Sequence, residues 1–426
     1  MRRLQRLSES GESMMEEVVQ LTAEERLAVK PMWSEIFYAD SDRFTDYYFA
    51  EKMADNKGYG VKVDGEIVSM MFLTPYPVWI KTGGADEPAC AARQNRENVS
   101  AQDPENVESG DFTQVMLYYI VGVGTRKKYR HRGYMDRMLK RALRDICAEG
   151  HPFTFLMPAD PAIYEPYQFR YIYDRPVYTV RSSAKLQAAS YGREAADGLD
   201  KLCGYEAASV PLTISEIPQL VQFVNNFLMS HYQIFVHRDS AYYERQRLES
   251  VAQNGDVYLW KNNGEIQGYY LYAKEDEHEE IQEAMLSPDF PDQSVLSVSR
   301  EKKPIIMARI ANVRAMLSMI RMREDKEKKL IIRVHDPLIE ENNGTFLWTV
   351  SREKSETVYI TKENQNIQKE DFNTEDKKIS EEFSEWISRV EVDITLLLGI
   401  LFGRVELPEA LVGIRPLTEI CINEIV

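Results

Sequence analysis

The feature that most constrains the fold is a basic segment that directly follows an apolar strand pattern. Residues 115–123 form an apolar, β-branched run, which predicts a strand. Residues 126–144 then hold nine Lys or Arg residues and one acid, Asp136, and open a helix predicted to end near Gly150. Residues 153–157 predict another strand. Strand, basic turn, helix and strand in this order predict an α/β arrangement.

The basic segment is unusual for this chain. The protein of 426 residues carries 52 Lys and Arg residues against 68 Asp and Glu residues, a formal charge of −16. Such a surface should repel nucleic acid and anionic membranes over most of its area, so we expect neither as a partner. The local excess of positive charge therefore needs its own explanation.

The turn that opens the helix has the chemistry of an anion site. The first N–H groups of a helix have no intrahelical partner, and the helix dipole adds partial positive charge there. Gly133 allows a ligand to approach the backbone closely, and arginines neutralise it. The expected ligand is a phosphate or pyrophosphate. The turn reads Arg130-His131-Arg132-Gly133-Tyr134-Met135.

Three interpretations of the basic segment are open from the residues alone: a solvated helix face, a nucleic-acid patch and a pyrophosphate cradle for a nucleotide cofactor. Nothing else in the chain is basic, and aromatic residues are not interleaved as in stacking platforms, which argues against nucleic acid. The turn matches neither GxxxxGK[ST] nor GxGxxG, so it is not typical of a P-loop or Rossmann site.

Composition and cysteine placement favour a globular protein of the reducing cytoplasm. Hydrophobic residues make up 44% and charged residues 28%, which is ordinary for such proteins. The apolar run at residues 394–402 is far shorter than the roughly 20 residues that a membrane span needs. The four cysteines form no CxxC pair, and the N-terminus has no apolar signal core. We expect no zinc site, disulfide framework or secretion signal.

The first folded stretch is predicted to start near Leu21. Thr22 and Glu25 have the spacing of a capping box, which predicts a helix start. Asp64-Gly65 between β-rich runs predicts a hairpin.

The same order recurs faintly later in the chain. Asp-Tyr-Tyr at residues 46–48 precedes Gly-Glu-Ile at 65–67, and Ala-Tyr-Tyr at 241–243 precedes Gly-Glu-Ile at 264–266. A helix followed by a hairpin is thus predicted twice, which indicates two related α/β domains, with a chance match as the alternative.

The last third of the chain has a different pattern. Residues 309–323 predict a Met- and Ile-rich helix, and the runs 330–334 and 345–350 predict strands. Residues 394–402 predict a buried helix. Together they predict an α+β module.

The strand and basic turn resemble the acetyl-CoA motif of the GNAT acetyltransferases. That motif reads [Q/R]-x-x-G-x-[G/A], and Arg130 and Gly133 match it. Met135 stands where most members have a small residue, and a bulky residue there is similar to the enhanced-intracellular-survival (Eis) acetyltransferases.

A second GNAT motif, Y-x-x-[FY]-G-F, resembles residues 164–169. Tyr164, Tyr167 and Phe169 match it, and Gln168 replaces the usual glycine. The resemblance to Eis extends over nearly the whole chain, strongly for residues 20–180 and loosely afterwards.

The resemblance implies an α/β (α+β) fold with two tandem GNAT domains, the second degenerate, followed by a sterol-carrier-like α+β domain. The expected domains are 1–180, 181–300 and 301–426. The second has no basic glycine turn, so only the first is expected to bind the cofactor. A ring-like homo-oligomer, a hexamer, is implied by the family alone.

The resemblance also implies acetyl-CoA as the co-substrate, with no metal. The backbone of Val121 and Val123 is expected to pair with the pantetheine arm. The turn around the helix start is expected to hold the phosphates, with the contacts Arg126, Arg130, His131, Arg132, Gly133, Tyr134 and Met135.

For the chemistry, the resemblance implies a tyrosine acid and a terminal carboxylate base. Tyr164 is the expected acid, since an ordinary tyrosine pKa of about 10 keeps it protonated at neutral pH. The carboxylate of Val426 is the expected base. Trp33, Phe37 and Phe72 are expected either to line the substrate pocket or to belong to the core.

The sequence therefore predicts a cytoplasmic N-acetyltransferase acting on a primary amine of a small-molecule or peptide substrate. An aminoglycoside, a polyamine and a lysine side chain all fit the acidic balance of the chain. Two rivals are open: a protein that senses CoA or another nucleotide without turnover, and a structural or lipid-binding protein led by its C-terminal domain.

Overall fold

The structure is a computed structural model that describes residues 4–7, 13–83, 110–181, 209–275, 278–360 and 388–424. The strands are β1 (Leu4–Leu7), β2 (Ser13–Leu21), β3 (Lys57–Val63), β4 (Glu66–Lys81), β5 (Phe112–Thr125), β6 (Phe153–Leu156), β7 (Arg170–Val180), β8 (Val210–Pro211), β9 (Ile234–Val236), β10 (Asp256–Asn262), β11 (Glu265–Glu275), β12 (His278–Leu286), β13 (Leu296–Ile310), β14 (Arg321–Met322), β15 (Lys328–His335), β16 (Gly344–Val350), β17 (Ser355–Tyr359), β18 (Ser388–Asp393), β19 (Ile414–Arg415) and β20 (Ile420–Cys421). The α-helices are α1 (Ala23–Ala28), α2 (Lys30–Ile36), α3 (Asp42–Tyr47), α4 (Tyr134–Ala148), α5 (Pro161–Tyr164), α6 (Ile217–His231), α7 (Ser240–Ala252), α8 (Val313–Ser318) and α9 (Ile394–Leu401).

One large mixed sheet joins distant parts of the chain. Its path is β1-β2-β3-β4-β5-β6-β13-β7, with β9 paired to β4 and β20 paired to β9. The folded part begins before the predicted Leu21, because β1 and β2 precede that point. Strands β9, β13 and β20 come from well beyond residue 180, so the sheet of the first domain is completed by later sequence.

The strand β13 corrects one prediction from the sequence. A helix over 309–323 is wrong at both ends, because the chain stays extended to Ile310, α8 spans only Val313–Ser318, and Arg321–Met322 form β14. Residues 305–310 are all buried, and a strand covered on both faces has the same continuous apolar pattern as a buried helix. Strand β13 also runs across residue 300, where a domain border was expected.

Two layers of helices cover the sheet of the first domain. Helix α4 packs on one face through apolar residues at helical spacing, among them Met138, Leu139 and Leu143. The helices α1 to α3 pack on the opposite face, where Trp33 and Tyr48 are buried. This layering places the N-terminus of α4 just beyond the C-terminal end of β5.

The predicted duplication is visible in matching details of the first and second domains. Each has a capping box at the start of its helical segment, and in each the capping glutamate also pairs with a lysine of the following hairpin. The residues are Thr22, Glu25 and Lys62 in the first domain and Thr213, Glu216 and Lys261 in the second.

The two hairpins also turn in the same way. Asp64 and Gly65 have φ values of 49° and 88°, and Asn263 and Gly264 have 51° and 85°. In both hairpins the register shifts by one residue at the same distance from the turn. These are the geometries that Asp-Gly and Asn-Gly turns favour, so the sequence signal and the structure agree.

The second and third domains each have a small sheet of their own. In the second, α6 and α7 pack on β12-β11-β10-β8. In the third, the order is β17-β16-β15-β18, and α9 follows β18, which confirms the predicted strands and buried helix of the α+β module. Throughout the described ranges, every helix is too short or too polar to cross a bilayer.

A glycine fixes the course of β5 against the helical layer. Gly122 has a φ of 61°, and the register between β4 and β5 shifts beside it. A Cβ atom on Gly122 would lie 2.4 Å from the ring of Trp33, so the close contact with α2 requires a glycine.

We therefore expect Gly122→Ala to destabilise the protein strongly. The left-handed backbone costs an alanine roughly 1 kcal/mol or more, and the clash with Trp33 adds about 2 kcal/mol. Gly65→Ala is the matched control, because its φ is also positive at 88° but a Cβ there meets nothing within 4 Å. Urea unfolding of both variants measures the difference, and equal midpoints would show that the Trp33 contact does not matter.

Candidate active site

The strands β5 and β6 pair briefly and then separate. Their parallel ladder contains the pairs Tyr118–Thr154 and Tyr119–Phe155. Among the described residues, β5 has no further partner on this side, although it continues to Thr125. The open edge includes Val121 and Val123, the two residues predicted to pair with an extended ligand.

The predicted anion turn lies at the end of this open edge. Gly133 precedes α4 with a φ of 75°, and no side chain caps the helix start. A Cβ atom on Gly133 would meet nothing within 4 Å, so the space in front of the first helical N–H groups is clear of protein. His131 also has a positive φ of 63°, and both residues are exposed. The backbone is thus shaped for an anion at this position.

The cationic side chains around the turn differ in their partners. Arg126 forms ion pairs with Glu66 at 2.6 Å and Glu35 at 3.5 Å, so carboxylates already neutralise its charge. Arg130 is exposed, and its Nε donates to the carbonyl of Thr125 at 3.1 Å.

Arg132 stays close to the turn itself. Its guanidinium lies 5.3 Å from the ring centre of Tyr129, and it donates to the carbonyl of Lys128 at 3.5 Å. Arg130, His131 and Arg132 are therefore more available to a phosphate than Arg126, whose charge is neutralised by carboxylates.

Tyr134 and Met135 point their side chains away from the open space. The hydroxyl of Tyr134 donates to Glu16 at 2.8 Å, and Glu16 also pairs with Arg137 at 2.9 Å. Burial raises the pKa of Tyr134 above its usual value. Met135 packs against the core under α4. These two residues can therefore reach an anion only through their backbone N–H groups.

Tyr164 lies at the end of α5 beside the diverging strands. It belongs to the same buried cluster as Ile120 of β5 and Leu156 of β6, and its ring lies 6.0 Å from that of Phe169. Burial raises the pKa of Tyr164 to about 12. The phenol therefore keeps its proton at neutral pH, as a general acid must before it acts.

Gln168 explains how the chain departs from the usual GNAT glycine. Its φ is 67°, the left-handed region that a glycine adopts without strain. Its side-chain oxygen accepts a hydrogen bond from the Thr395 hydroxyl of α9 at 2.6 Å. Arg309 of β13 donates to the adjacent carbonyl of Tyr167 at 2.9 Å. The turn after Tyr164 is thus held by contacts from residues beyond 300.

A cavity of about 80 Å³ lies between the first and second domains. Its walls come from β4, from the π-helical turn Tyr48–Lys52, from α7 and from the end of the chain. Its lining residues are Lys52, Asp55, Thr74, Pro75, Tyr76, Pro77, His237, Asp239, Tyr242, Arg245, Gln246, Glu249 and Glu424.

Buried carboxylates give this cavity its electrostatic character. Glu249 pairs with Lys52 at 2.6 Å and accepts a hydrogen bond from Tyr47 at 3.1 Å. Glu424 accepts a hydrogen bond from Tyr242 at 3.2 Å, and burial raises the pKa of Glu424 to about 7. With Asp55 and Asp239, the lining acids outnumber the lining Lys and Arg residues, so the cavity favours a cation.

Aromatic rings connect the cavity to the diverging strands. Tyr76 lines the cavity, and its ring centre lies 6.4 Å from that of Tyr119 and 6.3 Å from that of Phe155. Tyr119 and Phe155 are the last pair of the β5–β6 ladder. The cavity therefore lies one layer of packed rings away from the point where β5 and β6 separate.

Four candidates from the sequence, Trp33, Phe37, Phe72 and Val426, fall outside this site or outside the described residues. Trp33 and Phe72 are buried in the core under the sheet, and Phe37 packs on them. Val426 lies beyond the last described residue, 424. His237 stacks on Trp79 at 4.6 Å and lines the cavity, and burial lowers its pKa.

The anion turn and Tyr164 lie in a region that matches a known protein family. Residues 106–172 match the acetyltransferase (GNAT) domain family, a range that contains the anion turn and Tyr164. The chain contains a GNAT acetyltransferase domain. Residues 313–381 match the sterol carrier protein domain family, which confirms the predicted type of the third domain. The predicted acetyltransferase class is confirmed at the level of this domain.

Solved structures show the same overall fold at low sequence identity. A conserved protein of unknown function from Enterococcus faecalis V583, described as a probable N-acyltransferase, is 13% identical with a TM-score of 0.62, covering 91% of this chain and 90% of its own. A GCN5-related N-acetyltransferase from Anabaena variabilis ATCC 29413 is 14% identical with a TM-score of 0.58, covering 94% of both chains. Eis1 from Mycobacterium abscessus is 13% identical with a TM-score of 0.51, covering 81% of this chain and 85% of its own. No curated protein sequence matches the chain significantly.

These neighbours confirm the predicted fold class, tandem GNAT-type domains followed by a sterol-carrier-like domain. The cavity residues Lys52, Glu249 and Glu424 were missed by sequence reasoning. The sequence signal for these residues is the repeated pair of tyrosines. Tyr47 of the first pair donates a hydrogen bond to Glu249, and Tyr242 of the second donates one to Glu424.

We expect Gln168 and Thr395 to be energetically coupled. Thr395→Val removes the donor to Gln168, and Gln168→Gly removes the acceptor while relieving the left-handed backbone. A double-mutant cycle on the unfolding free energy should give a coupling of roughly 1 kcal/mol. Additive effects would show that the contact between the GNAT domain and α9 contributes no stability.

Proposed function

We propose that the protein is an acetyl-CoA-dependent N-acetyltransferase that acts on a primary amine of a small cationic molecule or peptide. The observation that carries this proposal is the open edge of β5 that runs from Tyr119 to the anion turn. At the start of this edge, Tyr119 packs on Tyr76, which lines the acid-rich cavity. An aminoglycoside, a polyamine and a lysine side chain all present a suitable amine.

The residues at the turn fit a pyrophosphate. The backbone N–H groups at the start of α4 face clear space at Gly133, and Arg130, His131 and Arg132 add positive charge. The side chains of Tyr134 and Met135 take no part in this binding. Arg126 contributes by exchanging a carboxylate partner for phosphate, since Glu66 already pairs with it.

The open edge of β5 suits the amide groups of the pantetheine arm. Beyond Tyr119 the strand offers backbone donors and acceptors on the side that faced β6, and Val121 and Val123 lie in this stretch. An extended chain that adds to such an edge satisfies the same hydrogen bonds as a strand. The thioester then lies near Tyr164.

Tyr164 supplies a proton to the departing thiolate. Its pKa of about 12 keeps it protonated at neutral pH, and it belongs to the buried cluster that contains Ile120 of β5 and Leu156 of β6, near which the arm would end. The resemblance to Eis proposes the Val426 carboxylate as the base. What supports this assignment is that the tail is buried through Ile422, Asn423 and Glu424 and that Glu424 lines the cavity.

The acid lining of the cavity supports a cationic amine. Asp55, Asp239, Glu249 and Glu424 face Lys52 and Arg245 in a partly enclosed space, where charges are less screened than in water. We also keep the domain borders near 180 and 300, the cytoplasmic location and a homo-oligomer as proposals.

A negatively charged residue in place of Gly133 tests whether the pyrophosphate binds at this turn. We expect Gly133→Asp to weaken acetyl-CoA binding at least tenfold more than Gly133→Asn. The two side chains have similar size and tolerate a positive φ, and a Cβ atom at this position meets nothing within 4 Å, so the difference between the two variants isolates the charge. Calorimetric titration with acetyl-CoA measures both, and equal affinities would move the phosphates away from this turn.

The acid role is tested with Tyr164→Phe. We expect kcat with an amine substrate to fall roughly 100-fold while acetyl-CoA affinity is unchanged, since only proton donation is lost. Tyr167→Phe is the matched control, because the Tyr167 hydroxyl binds Asp136 at 3.2 Å and has no assigned chemical role.

If Tyr164→Phe retains full turnover, the acid assignment fails. If the unmodified protein binds acetyl-CoA but acetylates no amine, a CoA-sensing protein becomes the better description.

A further inference from the structure

Glu424 is a buried carboxylate that the steps above do not use. Its side chain belongs to a residue only 4% exposed, and it lines the cavity between the first two domains. The chain reaches this place through β20, which pairs in parallel with β9 inside the large sheet. The position of Glu424 is therefore set by regular backbone structure that ends three residues earlier, at Cys421.

The residue before Glu424 fixes the tail to the second domain. The side-chain amide of Asn423 donates to the carbonyl of Gln282 at 2.8 Å and lies 3.5 Å from the carboxylate of Glu283. Glu283 in turn forms a buried ion pair with Arg238, with Nη2 and Oε2 2.8 Å apart. Asn423 faces this cluster, which leaves Glu424 to face the cavity.

Glu424 differs from the other buried carboxylate of the cavity. Glu249 is neutralised by Lys52 at 2.6 Å, whereas the cations nearest to Glu424, Arg238 and Lys52, are each engaged by another carboxylate. The hydroxyl of Tyr242 donates to Glu424 and holds its orientation. Glu424 thus has an acceptor oxygen in the cavity without a direct ion-pair partner among the described residues.

We propose that the Glu424 side chain accepts the proton that the substrate ammonium must lose before it attacks the thioester. This inference rests on the proposed acetyl transfer and deepens it. It assigns the base to a side chain on the cavity wall, and Tyr242 and Asn423 become its positioning residues. It does not require the terminal carboxylate of Val426.

The proton and electron pairs balance as follows. One ammonium proton moves to Glu424, and the freed nitrogen lone pair forms the C–N bond to the thioester carbonyl carbon. The C–S bond then breaks, and the thiolate sulfur takes the phenolic proton of Tyr164. The second nitrogen proton restores the phenol of Tyr164, and Glu424 releases its proton to solvent. The products are the amide, the free thiol of CoA and one released proton.

The pH dependence follows from the state of Glu424. Burial raises its pKa to about 7, whereas an ordinary glutamate is fully ionised there. Only the ionised form accepts a proton, so kcat/KM should rise with pH through about 7. The charged and titratable groups around it are Tyr76 of β4, Tyr119 of β5, Tyr242, Tyr243 and Glu249 of α7, Arg238 before α7, Lys52 of the π-helical turn, Glu283 of β12 and Cys421 of β20.

The test is the pH profile of kcat/KM for Glu424→Gln in the full chain, with spermidine as the amine. We expect a loss of 100-fold or more at pH 7 and the disappearance of the rise near pH 7, with unchanged acetyl-CoA affinity. Glu419→Gln is the matched control, because it removes the same charge from an exposed residue of the same tail. It should keep both the rate and the profile.

The outcomes separate this inference from the proposed function. If the unmodified protein acetylates no amine at any pH, the proposed function fails. If it is active and Glu424→Gln keeps the rise near pH 7, the proposal for Glu424 is overturned and the transferase stands. Glu424→Asp decides if the glutamine variant does not fold. The shorter carboxylate should lower kcat and keep the rise, and an unchanged kcat would also overturn the proposal.

Discussion

The architecture depends on one strand, β13, that leaves the second domain and inserts between β6 and β7 of the first. Its backbone hydrogen bonds hold β6 on the side away from β5. Because β6 pairs with β13 on that side, it can separate from β5 after the Tyr119–Phe155 pair and still keep one hydrogen-bonded neighbour. The gap that is proposed to receive an extended ligand is thus a product of sheet topology.

The same strand couples the site to the third domain. Arg309 of β13 forms a fully buried ion pair with Asp336 at 2.6 Å and donates to the carbonyl of Tyr167. Breaking such a pair leaves an uncompensated charge in the interior, so the contact strongly specifies how the domains meet. Gln168 and Thr395 add a second bond at the same turn. The turn after Tyr164 is therefore positioned from a distant part of the chain.

The charges of the site are arranged in two separate places. The basic turn lies in the open at the start of α4, where positive charge suits phosphates. The carboxylates lie in the cavity between the domains, where burial raises the pKa of Glu424 and the excess of acidic residues favours the binding of a cation. The proposed reaction has two ligands, a thioester that carries phosphates and an amine. The basic turn suits the phosphates of the first, and the acidic cavity suits the second.

Local signals predicted the local structure. The capping box at Thr22, the Asp64-Gly65 hairpin and the glycine turn before α4 all depend on residues close in sequence, and they were predicted correctly. The last two residues of β13, 309 and 310, were assigned to a helix because a strand segment buried on both faces has no alternating pattern.

The long-range features left almost no signal in the sequence. Glu424 meets Tyr242 across 182 residues, and Gln168 meets Thr395 across 227, so neither contact follows from spacing or periodicity. The cavity lined by Tyr242 and Glu424 takes its walls from the first two domains and from the tail, so no single segment of the sequence predicts it.

Mass spectrometry of the purified protein incubated with acetyl-CoA and a mixture of polyamine, aminoglycoside and peptide tests acetyl transfer most directly. An amine that gains the mass of one acetyl group, with an equal amount of free CoA, is the predicted result. Unmodified amines together with intact acetyl-CoA, from protein that binds acetyl-CoA in the same buffer, would contradict it.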